Sequence, residues 1–262
     1  MTKYANIIED IYHYCDRWCE RCDLTANCML YKLETKRRSD DYFNNDLTEG
    51  EKVKAKDIRD IVIMARELIR EFTVEENVKK NILKRESGFT QQRHQIEKKI
   101  KNNPIIFLGN QYLEMVDEWL NNSEHLFTME IDYSDSSKFI TVSLKEDYNY
   151  LNPNVVAEAI ETIRWYQHLI SVKLSNALQE KNLGKLFSSG NNKSVIKDYN
   201  GLAKVALTGI YKSMKAWNTL MSVFSQEQSE CLDIMVVLEK LQKLVKKEFP
   251  LAENFKRPGF DD

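Results

Sequence analysis

Residues 152–178 read NPNVVAEAIETIRWYQHLISVKLSNAL, and their apolar side chains recur at the three- and four-residue spacing of a helix face. Asn152 and Pro153 suit a helix cap and a first turn, so the pattern predicts a long helix that begins there. Its main apolar stripe contains Val156, Ile160, Ile163, Ile170, Leu174 and Leu178, and a second stripe contains Glu161, Trp165, His168 and Val172. The fold class that we predict is therefore mainly α, a helical bundle.

The flanking sequence extends this architecture with more helices and one pair of strands. Helical spacing recurs from Ile58 to Phe72, after Pro104, from Tyr199 to Phe224 and from about Ser229 to Phe249. Apolar and polar residues alternate in 127–133 and 139–144, on either side of a Ser/Asp turn. This alternation predicts one small β-hairpin near 126–145.

The order of these segments predicts three parts of the chain. Residues 1–35 are expected to form a cysteine-bearing helix and loop packed on the bundle. Residues 36–52 are polar and charged, which is typical of a connector. Residues 53–262 are expected to form the helical domain that includes the hairpin.

Composition excludes several classes of protein. The 262 residues contain 38 Lys and Arg against 40 Asp and Glu, so bulk charge favours neither nucleic acid nor an anionic membrane as partner. No apolar run approaches the ~18 residues of a membrane span, and the N-terminus lacks the apolar region of a signal peptide. We therefore expect a cytoplasmic protein without membrane association.

Four of the five cysteines lie within fourteen residues, with the spacing C-x3-C-x2-C-x5-C. They are Cys15, Cys19, Cys22 and Cys28. Two disulfides would explain the cluster, but a reducing cytosol disfavours them. Metal ligation is the interpretation that we favour.

Helical spacing also connects the cysteines to the residues before them. Tyr4, Ile8, Ile11, Cys15, Cys19 and Cys22 follow one helix stripe. This predicts a helix whose cysteines extend the core-facing seam, with Arg21 directed to solvent or to neighbouring loops. Residues 23–27 are expected to turn the chain back and bring Cys28 over the other three.

Geometry favours an iron–sulfur cluster over zinc without excluding zinc. Tetrahedral zinc, with Zn–S bonds of about 2.3 Å, draws its sulfurs close together. The Cβ atoms of residues i and i+4 on a helix lie about 5–6 Å apart, and a four-iron cluster accommodates this separation more easily than one zinc ion does. Zinc sites also usually combine two separated CxxC-like pairs, and this chain has no second pair.

Residues 19–31, CERCDLTANCMLY, resemble the C-x2-C-x5-C end of the iron–sulfur loop in helix-hairpin-helix DNA glycosylases. The same spacing occurs in auxiliary-cluster domains of radical enzymes and in some cluster-bearing nucleases. The resemblance implies that Cys15, Cys19, Cys22 and Cys28 ligate a [4Fe–4S] cluster. The first spacing differs, and no Gly-Val-Gly turn with a catalytic Lys or Asp follows, so it implies no glycosylase activity.

Residues 16–22 and 255–261 are also similar to an uncharacterised bacterial protein family, a resemblance that implies no mechanism. Cys231 falls on the apolar face of a late helix and is expected to be a small buried hydrophobe. No nucleophile elbow, Walker loop or dinucleotide glycine pattern appears in the sequence, so it predicts no catalytic residue.

The function that we predict is a metal-binding helical protein, with a [4Fe–4S] cluster in a structural or electron-transfer role or one that positions a protein partner. One alternative is a zinc-clipped interaction scaffold. Another is a nucleic-acid-processing accessory that uses the basic stretch 79–101, although a solvated helix face is the ordinary explanation for those charges.

Overall fold

The computed structural model describes residues 7–9, 11–35, 94–132, 139–148, 151–187 and 198–261. The predicted connector 36–52, the predicted helix from Ile58 to Phe72 and the basic residues 79–93 lie outside the described residues. The chain divides into two compact units, Met1–Met29 with Glu97–Asp262, and Leu30–Ile96. Short helical stretches at 29–35 and 94–101 lie where the two units join in sequence. The predicted boundaries at residues 35 and 52 stay a prediction.

Four long helices make up most of the first unit, which confirms the mainly α prediction. They are α1 (Pro104–Asn122), α2 (Pro153–Phe187), α3 (Tyr199–Val223) and α4 (Gln228–Glu248). Asn152 Oδ1 accepts a hydrogen bond from the Asn154 N–H at 3.0 Å, so this asparagine caps α2 as its sequence predicted. Within the described residues, no helix combines the length and the apolar character that crossing a membrane requires.

The hairpin lies where the alternating pattern predicted it. Strand β1 (Phe127–Asp132) pairs with β2 (Phe139–Leu144) in antiparallel register, with Phe127 opposite Leu144 and Met129 opposite Val142. Leu126, Phe127 and Val142 are buried, so this end of the hairpin packs its apolar side chains into the core.

The core of the unit lies between the helices, and α2 packs most extensively against α3. The main stripe of α2 is buried along its length: Val156, Ile160, Ile163, Ile170, Leu174 and Leu178. Trp217 of α3 is fully buried, and its Nε1–H donates to Tyr112 Oη of α1 at 3.3 Å. This continuous apolar core gives the bundle a rigid surface on which other segments pack.

The prediction of a helix through Cys15, Cys19 and Cys22 is wrong. The described residues of 7–29, which we call the N-terminal segment, contain 3-10 turns at Ile11–His13, Cys19–Arg21 and Thr25–Asn27, with irregular chain between these turns. Arg17 has φ of 61°, a left-handed conformation that ends any helical path between Cys15 and Cys19. The segment does turn back as predicted, because the Ile8 N–H donates to the Asn27 carbonyl at 3.1 Å.

Candidate functional site

Aromatic packing holds the N-terminal segment on α2. The Trp18 ring stacks on the Trp165 ring with centroids 4.9 Å apart and an interplanar angle of 15°. The Arg21 guanidinium lies over the Trp18 ring, 4.1 Å from its centroid. The Trp18 indole is therefore in contact with both an aromatic ring and a cation.

Arg21 joins this packing to two carboxylates of α2. Its guanidinium forms an ion pair with Glu161 and lies 3.8 Å from Glu158. Arg21 is exposed, as expected from the sequence, but its guanidinium also contacts α2, which the sequence did not predict. The physical reason is that Trp18 places the side chain of Arg21 against α2, where Glu161 faces it.

Asp16 is the polar centre of the contact between the segment and the bundle. Its carboxylate accepts hydrogen bonds from Tyr166 Oη and, at 3.2 Å, from the Trp18 N–H. Lys212 of α3 donates to Tyr166 Oη at 2.8 Å and lies 3.4 Å from the carboxylate. Trp165 Nε1 donates to the Asp16 carbonyl at 3.0 Å. Asp16 thus connects the N-terminal segment to both α2 and α3.

These contacts change the acidity of both members of the central pair. Burial alone would raise the pKa of Asp16, but the hydrogen bond from Tyr166 and the Lys212 ammonium bring that pKa below its ordinary value. Burial and the neighbouring Asp16 carboxylate raise the pKa of Tyr166. The pair therefore stays as a carboxylate and a neutral phenol at neutral pH.

Two further anchors fix the start of the segment. The buried Lys173 donates from Nζ to the His13 carbonyl at 3.1 Å, and Tyr14 Oη accepts from the Asp198 N–H at 3.1 Å. The Tyr14 ring packs directly on Gly201 of α3, where an added Cβ would lie 2.4 Å from two ring carbons. Only glycine at residue 201 leaves room for this ring.

Residues 249–261, which we call the C-terminal tail, cover the segment from the other side. Arg257 donates to both carboxylate oxygens of Asp261 at 2.8 Å, and these hydrogen bonds lower the pKa of Asp261 to about 2. Gly259 has φ of +76°, and a Cβ there would lie 2.8 Å from Ile8 Cδ1. The segment is thus held between the bundle and the tail.

The four clustered cysteines are partly exposed members of this anchored segment. Cys15, Cys19, Cys22 and Cys28 are each intermediate in burial, and no disulfide joins any of the five cysteines. Burial raises the pKa of the Cys15 thiol. Among the described residues, no three Cys, His, Asp or Glu side chains converge closely enough to hold a metal ion. The four thiols therefore lie on one short segment but do not surround one centre in this structure.

Cys231 lies elsewhere, as expected. It is fully buried on α4, and burial raises the pKa of its thiol to about 12. This cysteine is a packing residue.

A cleft of about 680 Å³ opens beside Cys22, between the N-terminal segment, α2, α3 and the C-terminal tail. We call it the interhelix cleft. Four cationic residues line it: Arg21, Lys212, Lys215 and Arg257. Three carboxylates do so as well: Asp16, Asp23 and Glu158. Volumes of this size are typical of sites for small molecules.

Comparison of the chain with protein-family models, with curated proteins and with solved structures gives no match.

The sequence pattern indicated the cysteines and placed Ile11 on the core-facing stripe, but it did not predict Tyr14 and Trp18 as the other anchors of the segment. The buried side chains are Ile11, Tyr14 and Trp18, with 1%, 8% and 7% of their surface exposed. A signal for them existed, because these three also recur at three- and four-residue spacing and carry far more apolar surface than a thiol. No sequence signal connected them to Trp165 or Tyr166.

Proposed function

We propose that this chain is a metal-binding helical protein in which Cys15, Cys19, Cys22 and Cys28 ligate a [4Fe–4S] cluster. The observation that carries the proposal is that all four thiols are partly exposed on one short segment whose core positions are filled by other residues. Cysteine is among the most often buried residue types, so four partly exposed cysteines in fourteen residues call for a role other than packing.

The chemistry of the donor set fits this group. Thiolates are soft ligands that select iron–sulfur clusters or zinc, and no disulfide joins these thiols. Metal binding has to draw the four sulfurs around one centre, which they do not surround in this structure. Such coupling between binding and local folding is common in small metal sites. Short turns between the cysteines, in place of a continuous helix, leave backbone torsions that can change on binding.

Four protein ligands complete a [4Fe–4S] cluster, so the group would supply electron transfer or structural cross-linking. The chain's own residues support the structural role directly. Trp18, Asp16 and Tyr14 tie the segment to α2 and α3, and a group held by the same segment would stiffen the whole contact.

Metal and acid-labile sulfide analysis of protein purified without oxygen tests the proposal. We expect about four iron and four sulfide per chain, as a [4Fe–4S] cluster requires. One zinc without sulfide would replace the cluster by the zinc clip, and the absence of both would overturn metal binding. Cys22→Ser is expected to lose the metal, whereas the matched control Cys231→Ser is expected to keep it. Equal loss from both variants would show that the ligands are misassigned.

A further inference from the structure

The interhelix cleft carries a second binding function, beside the proposed metal site, whose ligand Cys22 borders the cleft. We infer that it binds a small organic anion with two or more phosphate or carboxylate groups, held by the ammonium groups of Lys212 and Lys215. The cleft lies within one compact unit, so its walls belong to a single packed body.

One face of α3 supplies the polar wall of the cleft. Thr208, Lys212, Lys215 and Thr219 follow one another at four-, three- and four-residue intervals, so they lie on a single helix stripe. A stripe with this spacing normally packs into a core when it is apolar. Here it is polar and borders an open volume, which is what a binding wall requires.

The four cationic side chains that line the cleft differ in how many ion pairs and hydrogen bonds they already form within the protein. The guanidinium of Arg21 pairs with Glu161, and that of Arg257 pairs bidentately with Asp261. Lys212 donates to Tyr166 Oη at 2.8 Å and pairs with Asp16 at 3.4 Å, which leaves one of its three N–H donors, and half of its side chain is exposed. Lys215 is exposed, and one turn of α3 separates it from Lys212. The two ammonium groups are therefore the donors that remain for a ligand.

The three carboxylates that line the cleft differ in how much of their negative charge acts on the space inside it. Asp16 already accepts from Tyr166, from Lys212 and from the Trp18 N–H, so its charge serves the contact between the segment and the bundle. Asp23 and Glu158 are exposed, so water screens their charges. Four cationic residues against three carboxylates, one of which already accepts three hydrogen bonds, favour an anionic ligand over a cationic one.

The volume and the lining side chains of the cleft further restrict the class of ligand. A volume of about 680 Å³ exceeds the need of a single phosphate ion, so the ligand is an organic or multiply charged anion. The Trp18 indole packs against Arg21 and Trp165 and is 7% exposed, so this ring offers no stacking surface to an aromatic base. Recognition therefore rests on charge, with the small side chains of Ala159 and Ala216 bordering the space.

Isothermal titration calorimetry at low ionic strength tests the inference with two probes, fructose bisphosphate and tricarballylate. We expect saturable binding of at least one probe, weakened by added sodium chloride because the contacts are ionic. Tighter binding of the first probe would identify phosphate groups as the recognised chemistry, and tighter binding of the second would identify carboxylates. Absence of saturable binding by both would overturn the inference.

Variants of exposed lysines locate the binding. Lys215→Ala is expected to weaken binding by about tenfold because it removes one charge-assisted hydrogen bond, whereas Lys215→Arg is expected to retain most of the affinity. Lys240→Ala is the matched control, because Lys240 is exposed on α4 and does not line the cleft. Equal affinity of Lys215→Ala and wild-type protein would exclude this cleft as the site.

Metal analysis of the same samples separates this inference from the proposed function. Metal binding without anion binding would overturn the inference about the cleft and support the proposed cysteine site. Anion binding without metal binding would support the inference about the cleft and overturn the proposed metal site. Lys215→Ala is expected to keep the wild-type metal content, because Lys215 makes no contact that holds the N-terminal segment in this structure.

Discussion

Helix α3 and the N-terminal segment each bury a tryptophan, and they hold it in different ways. Trp217 lies on a helix whose backbone hydrogen bonds are local, and its ring meets the edge of Trp119 at 5.0 Å and 86°. Trp18 lies in irregular chain and is held by residues about 150 positions away in sequence. The bundle is thus ordered by its own periodicity, whereas the segment takes its conformation from the surface on which it packs.

The largest effect is expected from removing the tryptophan of the bundle. Trp217→Ala should lower the free energy of unfolding by about 3–5 kcal/mol, because it leaves a cavity in a rigid core and removes the donor to Tyr112 Oη. Urea unfolding followed by far-ultraviolet circular dichroism measures this loss. Val172→Ala on the exposed face of α2 is the control and should change stability by about 0.5 kcal/mol or less. A small effect of Trp217→Ala would contradict the assignment of the core.

The matched substitution in the segment should act locally. Trp18→Ala is expected to cost about 2–3 kcal/mol, less than the core variant, because the segment can detach without unfolding the bundle. Hydrogen exchange followed by mass spectrometry should show lost protection in residues 11–28 and retained protection in α3. Uniform loss of protection across both regions would show that the segment and the bundle unfold as one unit.

This contrast explains why the fold could be predicted from the sequence. Helical periodicity indicated α3 and α4 within one residue of their observed ends, and Asn152 with Pro153 marked where α2 begins, although α2 continues to Phe187, beyond the predicted stripe that ends at Leu178. The information was local, since each helix forms its hydrogen bonds within itself and buries one continuous stripe. The hairpin was predicted for the same reason, from alternation along two neighbouring segments.

The site could be predicted only in part. The spacing of the cysteines marked the N-terminal segment, but the same spacing produced an incorrect helix. The pattern at Ile8, Ile11 and Cys15 competed with that of Ile11, Tyr14 and Trp18, and the larger side chains took the buried positions. Nothing in the sequence paired Asp16 with Tyr166 or Arg21 with Glu161, because these contacts join positions 140 or more residues apart.

A substitution in the C-terminal tail tests how much the contact between the tail and the N-terminal segment contributes to holding that segment. Gly259→Ala should cost about 1–2 kcal/mol, because alanine is strained at a φ of +76° and its Cβ would press on Ile8. Hydrogen exchange should report faster opening of residues 7–29, with α3 unchanged. Lys256→Ala, an exposed neighbour in the tail, is the control and should leave both regions as they are. An unaltered segment in Gly259→Ala would show that the tail does not hold it.

The smallest effect should come from the ion pair of the tail, and it depends on pH. Arg257 lowers the pKa of Asp261 to about 2 in the folded chain, against about 3.9 when unfolded, so the pair stabilises the protein above pH 4. Because the pair is partly open to solvent, Asp261→Asn should cost about 1 kcal/mol at neutral pH. About half of that difference from wild type should be lost by pH 3, because Asp261 of the unfolded chain is mostly protonated there whereas that of the folded chain is still mostly ionised. Urea unfolding at pH 7 and pH 3 measures both values, and Asp233→Asn, an exposed carboxylate on α4, is the control. A difference that is the same at both pH values would mean that Asp261 acts through its shape in the tail and not through its charge.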